Sequence, residues 1–407
     1  MAIISSQDIN YDESLVDDFE LPDPLISKDG NVVEKPDDWY QRARPEILEL
    51  FCSEVYGRLP GSPNETEYRL LSQEESTLDA TAVRREIAAT FTTGLGALEI
   101  RIALFLPIMT SEPVPVFLGL NFGGNHTVSS DPGVDLPLGW VANDELAGIS
   151  DNNASEVSRG AQAGRWPISM IVKRGYGVAT AYCGDLDPDY DDGFLNGAHP
   201  LFPRNDSDGT AWGTISAWAW GLHRIIDYLE IDSGVDQARI AVIGHSRLGK
   251  TALWAAATDP RVAMAISNSS GCGGASLARR HFGETVARIT TVFPHWFCRN
   301  YRKYGPDPAL LPVDQHMLIS LIAPRPLYVA SAEEDHWADP RGEFLSALNA
   351  GPVYELLGAR GLAIREMPPI EMPVIENRVG YHVRSGRHDI TDYDWRQYLD
   401  FADIHLR

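Results

Sequence analysis

Ser246 stands in the segment of this chain that best fits nucleophilic chemistry. Residues 238–250 read Ala-Arg-Ile-Ala-Val-Ile-Gly-His-Ser-Arg-Leu-Gly-Lys, an apolar run that ends in a glycine, a histidine and the serine. A buried strand, a tight turn at Gly244 and a helix that begins near Arg247 would expose the serine hydroxyl at the tip of the turn, as in a nucleophile elbow. Leu248 replaces the second glycine of G-x-S-x-G, so an ordinary helix cap formed by Ser246 stays an alternative.

A serine nucleophile needs a base and an acid that orients the base, and in this kind of site the acid comes next along the chain. Residues 331–340 follow an apolar run and read Ser-Ala-Glu-Glu-Asp-His-Trp-Ala-Asp-Pro. Asp335 lies a few residues beyond that predicted strand, which leaves room for a turn that brings its carboxylate to an imidazole. Glu333 and Glu334 are competing candidates, and a solvated acidic loop is the alternative without catalytic meaning.

His388 is the predicted base. It lies in the segment Ser-Gly-Arg-His-Asp-Ile-Thr at residues 385–391, a glycine-containing loop just before the last predicted helix. A neutral imidazole can take a serine proton and return it to a leaving alcohol if a carboxylate fixes its other nitrogen. Four other histidines are interpreted as core or wall residues: His126, His223, His295 and His382.

Attack on a carbonyl places negative charge on the substrate oxygen, so hydrogen-bond donors must lie nearby. The backbone N–H of Arg247 is one predicted donor. The loop Asn-Phe-Gly-Gly-Asn-His at residues 121–126 is the predicted source of a second, because its two glycines allow the backbone to approach a ligand closely. The Arg247 guanidinium could add a permanent positive charge, although a simple surface arginine is the alternative.

The elements that would position these residues alternate between strand and helix. Three strand candidates, 82–91, 98–106 and 114–121, are predicted to run antiparallel into a central sheet. The elements after them predict a mostly parallel sheet with helices on both faces, a three-layer αβα sandwich. These are strands 177–182, 240–243, 263–267 and 325–330 and helices 215–229, 248–258 and 394–406.

The predicted domain organisation is simple. Residues 1–62, acidic and proline-containing with a helical stretch at 39–56, are predicted to form an N-terminal extension that packs on the domain like a clasp. Residues 63–407 are predicted to form a single catalytic domain. Its long insertions, at 123–164, 185–213 and 271–311, have the length of lids or binding walls.

Composition excludes several classes of function. The chain has 407 residues, 44% of them hydrophobic, and a formal charge of −23, which argues against a nucleic acid partner. No apolar stretch reaches 18 residues, so no membrane span is expected. The chain is also expected to be a monomer. Residues 1–8 lack the pattern of a secretory signal, which leaves open a cytoplasmic location or one outside the cytoplasm with a leader removed. Four scattered cysteines do not predict a zinc site, and a single bridge between Cys272 and Cys298 stays open.

Several segments together resemble the glucuronoyl esterases of carbohydrate esterase family 15. They spread from about residue 120 to residue 390 and include Gly-His-Ser-Arg-Leu-Gly-Lys at 244–250. The others are 121–127, 165–168, 187–194, 282–285, 293–297 and 337–340. The resemblance implies an α/β-hydrolase, without metal or organic cofactor, that cleaves the ester between 4-O-methylglucuronic acid of xylan and an alcohol of lignin.

The resemblance also implies roles for particular residues. Ser246 would be the nucleophile, Arg247 the oxyanion stabiliser and His388 the base. Lys250 and Glu284 would bind hydroxyls of the uronic acid, and Trp337 would pack on the sugar.

The chain departs from better-known members of the family at one position. Those members carry their acid as a glutamate in the segment that reads Ser-Asn-Ser-Ser at 267–270 here, and no carboxylate is present at Ser269. The acid must then come from the other strand-end loop, which favours Asp335. Two alternatives to a glucuronoyl esterase remain. One is deacetylation of xylan by the same catalytic residues, and the other is a carbohydrate-binding protein with a degraded triad.

Overall fold

The computed structural model describes residues 9–108, 110, 112–137 and 139–407. Residues 1–8, from which the absence of a secretory signal was predicted, lie outside this range. Residue 111, which belongs to a predicted turn, lies outside it as well. Nine strands form one sheet in the described part of the chain. They are β1 Glu65–Thr77, β2 Ala82–Thr93, β3 Gly96–Pro107, β4 Val114–Asn121, β5 Gly177–Tyr182, β6 Val235–His245, β7 Met264–Asn268, β8 Leu327–Ala332 and β9 Val379–Arg384.

The order of the strands across the sheet is β1-β2-β3-β5-β4-β6-β7-β8-β9. The first three pair antiparallel, and β3 is also antiparallel to β5. From β5 to β9 every pairing is parallel. The prediction of a mostly parallel central sheet is therefore confirmed.

One strand prediction is wrong in its direction. Residues 114–121 were expected to run antiparallel with the two strands before them, but β4 lies between β5 and β6 and is parallel to both. All eight residues of β4 are buried. Such a continuous apolar run is typical of a central parallel strand covered on both faces, whereas a half-exposed antiparallel strand would alternate.

Two strands were not predicted. β1 is rich in glutamate and largely exposed at the edge of the sheet, so it shows no apolar alternation. β9 is fully buried but contains His382 and Arg384, whose polarity hides the strand pattern.

Helices cover both faces of the sheet. The α-helices of six residues or more among the described residues are α1 Arg44–Glu54, α2 Ile168–Lys173, α3 Thr214–Leu229, α4 Arg247–Thr258, α5 Val286–Val292, α6 Gln315–Ser320, α7 Pro340–Asn349, α8 Gly351–Leu356 and α9 Asp392–His405. One apolar core contains α1, α3, α4 and α6. The core on the other face contains α2 and α9. This is the predicted three-layer sandwich.

Large aromatic side chains fill both cores. Trp254 of α4 stacks on Tyr56 with ring centroids 4.6 Å apart, and Trp395 of α9 meets the edge of Phe117 of β4. Both tryptophans are completely buried. Replacing either with alanine should cost about 3–5 kcal/mol, because the surrounding structure cannot collapse into so large a cavity.

The N-terminal stretch contributes to the first core. Arg44 at the start of α1 donates hydrogen bonds to the carbonyls of Ala257 and Leu321, and Phe51 packs on Trp254. We keep as a proposal the division into an extension at 1–62 and a catalytic domain at 63–407.

All four cysteines lie in the described part of the chain and are free, three of them buried. The bridge between Cys272 and Cys298 that the sequence left open is therefore not formed. Within the described residues, no helix is both long and apolar enough to cross a bilayer.

Candidate active site

Ser246 lies between β6 and α4 in a backbone conformation that L-residues rarely adopt, with φ 56° and ψ −129°. Such a conformation costs on the order of 1–3 kcal/mol, and it persists only where the surroundings impose it. The Ser246 N–H donates to the carbonyl of Asn268 over 2.9 Å, which ties the turn to the end of β7. The Ser246 side chain makes no capping hydrogen bond to α4, so the alternative of an ordinary helix cap is wrong.

Two glycines allow this turn. A Cβ on Gly244 would lie 1.9 Å from the carbonyl oxygen of Leu248, so any larger residue would collide with the first turn of α4. A Cβ on Gly249 would lie 2.9 Å from the Cβ of Ser270. Gly249, which stands one position later than the second glycine of G-x-S-x-G, therefore allows close packing against the loop after β7.

His388 and Asp335 meet although they lie in different loops. Nδ1 of His388 donates to Oδ2 of Asp335 across 2.6 Å. The Asp335 side chain is buried, whereas 40% of the His388 side chain is exposed. Glu334, by contrast, is an exposed partner of Arg387 at 3.4 Å. Of the three acidic candidates, the structure thus brings Asp335 to the imidazole.

Ser246 and His388 line the same cleft, which has a volume of about 500 Å³. Arg247 and Gly123 line it as well, and residues 142–146 and Ile149 form another of its walls. The serine predicted from β6 and the histidine predicted from the loop before α9 are therefore brought together. A group bound in this cleft would meet a hydroxyl, an imidazole and a guanidinium.

Arg247 is not a free surface arginine. Its guanidinium lies 2.6 Å from Oδ2 of Asp189 and 4.5 Å from the centre of the Phe122 ring. Oδ1 of Asp189 also accepts from Trp296 Nε1 at 2.6 Å and lies 3.0 Å from His295 Nε2. Burial raises the pKa of Asp189. The charge of Arg247 and the two ring donors lower it by more than that, so the pKa of Asp189 lies below its usual value.

The sequence analysis did not single out Asp189. The signal was available, because Asp189 falls in the segment 187–194 and its two ring partners fall in 293–297, both part of the family resemblance. What the sequence lacked was any indication that these segments meet at Arg247.

Lys250 and Glu284 lie together in the interior. Their charged atoms are 3.9 Å apart, and both side chains are at least 95% buried. The Lys250 ammonium also donates to the carbonyl of Ser270. Burial lowers the pKa of Lys250 and raises that of Glu284, and in each case the partner's opposite charge counteracts part of the shift.

Trp337 lies beside this pair. Its carbonyl accepts from the backbone N–H of Glu284 over 3.0 Å, and its indole is partly exposed. Glu284 is also near enough to His388 for the imidazole to lower the pKa of the carboxyl. None of the three predicted sugar-binding residues lines the 500 Å³ cleft, so they belong to another side of the Ser246 turn.

Arg384 and Asp394 are a second pair that the sequence analysis missed. Arg384 donates to the carbonyls of Arg387 and Asp389, the two neighbours of His388, over 3.0 and 2.6 Å. Asp394 caps α9 and accepts from Arg384. His382, interpreted from sequence as a core or wall residue, is indeed buried, with Nε2 at 2.9 Å from Asp394.

The segment after β7, which has no carboxylate at Ser269, carries buried polar groups instead. The Ser269 hydroxyl is buried without a hydrogen-bond partner in the described residues. Asn268, the residue before it, accepts from Nδ1 of His245 at 2.6 Å. The His245 ring lies 4.5 Å from the His388 ring, centre to centre. Neutral groups therefore surround His388 on this side, and Asp335 supplies the carboxylate.

The described residues contain no cluster of three or more histidine, cysteine, aspartate or glutamate side chains that could hold a metal ion. The parallel sheet, the strained serine after β6 and the acidic and histidine loops after β8 and β9 have the order of the α/β-hydrolases. The protein is an α/β-hydrolase by its fold and by the order of these residues along the chain.

Comparison with known proteins identifies the family. A family model described as glucuronyl esterase of fungi matches residues 201–358. A carbohydrate esterase from an unknown prokaryotic organism is 46% identical over 400 residues, which cover 98% of this chain and 92% of that protein. A 4-O-methyl-glucuronoyl methylesterase from Wolfiporia cocos is 29% identical over 83% of this chain and 72% of its own.

Solved structures agree. A promiscuous esterase of carbohydrate esterase family 15 from a marine bacterial metagenome has a TM-score of 0.91 at 45% identity and covers 98% of this chain and 100% of its own. A glucuronoyl esterase from Solibacter usitatus has a TM-score of 0.91 at 44% identity, over 97% of this chain and 100% of its own. This chain belongs to the glucuronoyl esterases of carbohydrate esterase family 15, of bacterial type, as its motifs predicted.

Proposed function

We propose that this protein is a serine esterase that hydrolyses the ester between the carboxyl of 4-O-methyl-D-glucuronic acid on xylan and an alcohol of lignin. One observation carries the proposal: a serine in a strained turn shares a cleft with a histidine whose other nitrogen is held 2.6 Å from a buried carboxylate. The names of the methylesterase and glucuronoyl esterase relatives support the acyl group.

The first half of the reaction forms an acyl-enzyme. Nε2 of His388 takes the proton of Ser246 as Oγ attacks the carboxyl carbon of the ester. The carbonyl oxygen becomes an oxyanion, which the backbone N–H and the guanidinium of Arg247 stabilise. When the carbon–oxygen bond to the alcohol breaks, His388 returns the proton to the departing oxygen.

The second half repeats these steps with water. His388 takes a proton from a water molecule, whose oxygen attacks the acyl carbon, and the proton goes to Ser246 as the acyl bond breaks. Asp335 holds the imidazole in the tautomer that leaves Nε2 free and stabilises the imidazolium when it forms. The product is a free uronic acid, which ionises to a carboxylate.

The charge of the substrate explains why an acidic chain can act on an acidic sugar. The ester is uncharged at the reacting carboxyl, so substrate binding does not bring an anion to a protein of charge −23. Negative charge appears only as the reaction proceeds, and there Arg247 lies beside it. We propose that Lys250, Glu284 and Trp337 bind the uronic acid on the side of the turn away from the alcohol.

The net charge of −23 supports two further proposals. The first is that the enzyme has no nucleic acid partner, and the second is that it acts without membrane attachment. We propose that it works as a monomer, because the complete candidate site lies in one chain.

A comparison of two esters tests the function. We expect the purified enzyme to hydrolyse the methyl ester of 4-O-methylglucuronic acid with a kcat/KM at least tenfold above that for acetylated xylose. Ser246→Ala should abolish both this activity and labelling by a fluorophosphonate. Preference for the acetyl ester would favour the xylan deacetylase alternative, and labelling without hydrolysis of either ester would contradict the proposed substrate class.

A further inference from the structure

Tyr11 lies at the edge of the proposed sugar site, although it comes from the opposite end of the chain. Its ring meets the edge of Phe282 with centroids 6.3 Å apart, and its centre lies 6.4 Å from that of His336. Phe282 precedes Glu284 by two residues, and His336 stands between Asp335 and Trp337. The tyrosine is 47% exposed, so about half of its surface is open to solvent.

The segment that carries Tyr11 is held firmly. The carbonyl of Asn10 accepts from the N–H of Gly283 over 2.9 Å. Glu13 accepts from Arg280 at 2.8 Å, and Arg280 in turn donates to the buried Asp339 at 2.9 Å. Two anchors, at Asn10 and Glu13, hold the segment on either side of Tyr11 before any ligand arrives, which reduces the entropy lost on binding.

The phenol also shares the electrostatic environment of the site. Burial raises the pKa of Tyr11, the carboxylates of Asp335 and Glu284 raise it further, and Arg288 lowers it. The charges of Asp335 and Glu284 therefore act on the Tyr11 phenol.

There is open space beside the ring. A shallow depression of about 720 Å³ is lined by residues 9–12, Leu15, His281 and Thr285. It shares no lining residue with the 500 Å³ cleft at Ser246. The open space beside Tyr11 is therefore separate from the cleft at Ser246.

We infer that Tyr11 is a platform for the xylan chain that carries the uronic acid, and that it determines preference for polymeric over monomeric esters. This inference rests on the proposed function. With the ester carboxyl at Ser246 and the ring hydroxyls at Glu284, the glycosidic end of the uronic acid must leave along the surface beside Glu284. A xylose unit there presents an apolar C–H face, for which an exposed aromatic ring is a favourable partner.

Two substrates test the inference: the methyl ester of 4-O-methylglucuronic acid alone, and the same ester linked to a xylo-oligosaccharide. For Tyr11→Ala we expect a KM about tenfold higher on the oligosaccharide ester, an unchanged kcat, and less than about a twofold change in KM on the free sugar ester. Tyr11→Phe keeps the aromatic face and should stay within about twofold of the wild type on both. Tyr40→Ala is the matched control, since Tyr40 is 48% exposed and lies in the N-terminal helical stretch outside either depression.

The outcomes separate the two proposals. An equal loss on both esters in Tyr11→Ala would show that Tyr11 only supports the site, and no loss on either would remove it from substrate binding; both results overturn the inference while the function stands. A wild-type enzyme that hydrolyses neither glucuronoyl ester would overturn the proposed function and the platform with it. Calorimetric binding of the de-esterified oligosaccharide to Ser246→Ala, with and without Tyr11→Ala, provides a second readout, and affinity independent of Tyr11 would also overturn the platform.

Discussion

Arg384 donates a hydrogen bond from Nε to Oδ2 of Asp394 across 2.8 Å, and this pair holds the loop that carries His388. Both side chains are buried. The remaining nitrogens of Arg384 reach the carbonyls of Ser385, Arg387 and Asp389, so one guanidinium fixes the loop on either side of the histidine. A buried guanidinium thus holds the loop that carries the imidazole.

Breaking this pair should damage activity and stability together. Asp394→Asn leaves the Arg384 charge buried without its partner, so we expect the free energy of unfolding to fall by about 3–5 kcal/mol. The loop should loosen, with kcat lower by about tenfold or more and KM little changed, because remote misplacement of a catalytic group acts on the chemical step. Denaturant unfolding and steady-state kinetics measure both effects. Arg69→Met removes an exposed ion pair with Glu99 and is the control, for which neither quantity should change.

The acid assignment can be tested residue by residue. Asp335→Asn should lower kcat by about a hundredfold or more, since the amide no longer stabilises the imidazolium, and His388→Ala should lower it further. Neither change should alter folding much. Glu333→Gln and Glu334→Gln are the controls from the same loop. If one of them lost activity while Asp335→Asn kept it, the acid would be misassigned despite the 2.6 Å contact.

Asp189 should act through Arg247. Asp189→Asn removes the charge that holds the guanidinium, so we expect kcat to fall by roughly tenfold with a smaller change in KM. Asp192→Asn is the matched control, because Asp192 belongs to the same loop but bonds only to its local neighbours Phe194 and Asn196 in the described contacts. Equal kinetics in the two variants would show that Arg247 needs no such partner.

Lys250 should contribute to binding more than to chemistry. Lys250→Ala should mainly raise KM for the free sugar ester, by about tenfold, because a charged hydrogen-bond donor is lost from the proposed sugar site. The change also leaves Glu284 buried without its cation, so Lys250→Met, which retains more of the packing, is measured beside it. An unchanged KM in both variants would remove Lys250 from substrate recognition.

Glu343 should make stability depend on pH. It is completely buried, and burial raises its pKa to about 8 even though Ser331 and the backbone of Gly271 donate to it. A carboxyl whose pKa is raised in the folded state binds its proton more tightly there, so its contribution to stability is full below the unfolded pKa and is lost as the pH rises toward 8. The cost of ionising it should reach the order of a few kcal/mol.

Glu343→Gln removes this titration. The melting temperature of the variant, relative to that of the wild type, should therefore rise between pH 5 and pH 8 and level off above pH 8. Exposed Glu334→Gln is the control and should follow the wild type. A difference between Glu343→Gln and wild type that stayed constant over this range would mean that Glu343 does not titrate there.

Local chemistry explains what could be predicted. The turn at Gly244 and Ser246, the helix after it and the buried strands β5 and β7 are short-range features that follow from side-chain size and periodicity, so they were found close to their observed bounds. β4 was found but given the wrong direction, because a buried run of residues carries no information about the orientation of its neighbours. β1 and β9 were missed because their charged residues conceal the strand pattern.

By itself the sequence determined the order of most strands and helices, the serine at the tight turn and the three acidic candidates for its site, since residue type and spacing along the chain decide these. Only the tertiary structure decided which carboxylate reaches His388, which one holds Arg247, and that Tyr11 comes to lie beside Phe282. Such contacts join segments far apart in the chain, and they depend on how the strands order themselves across the sheet and where long insertions cross it. No local preference encodes that arrangement, which emerges only when both cores are packed.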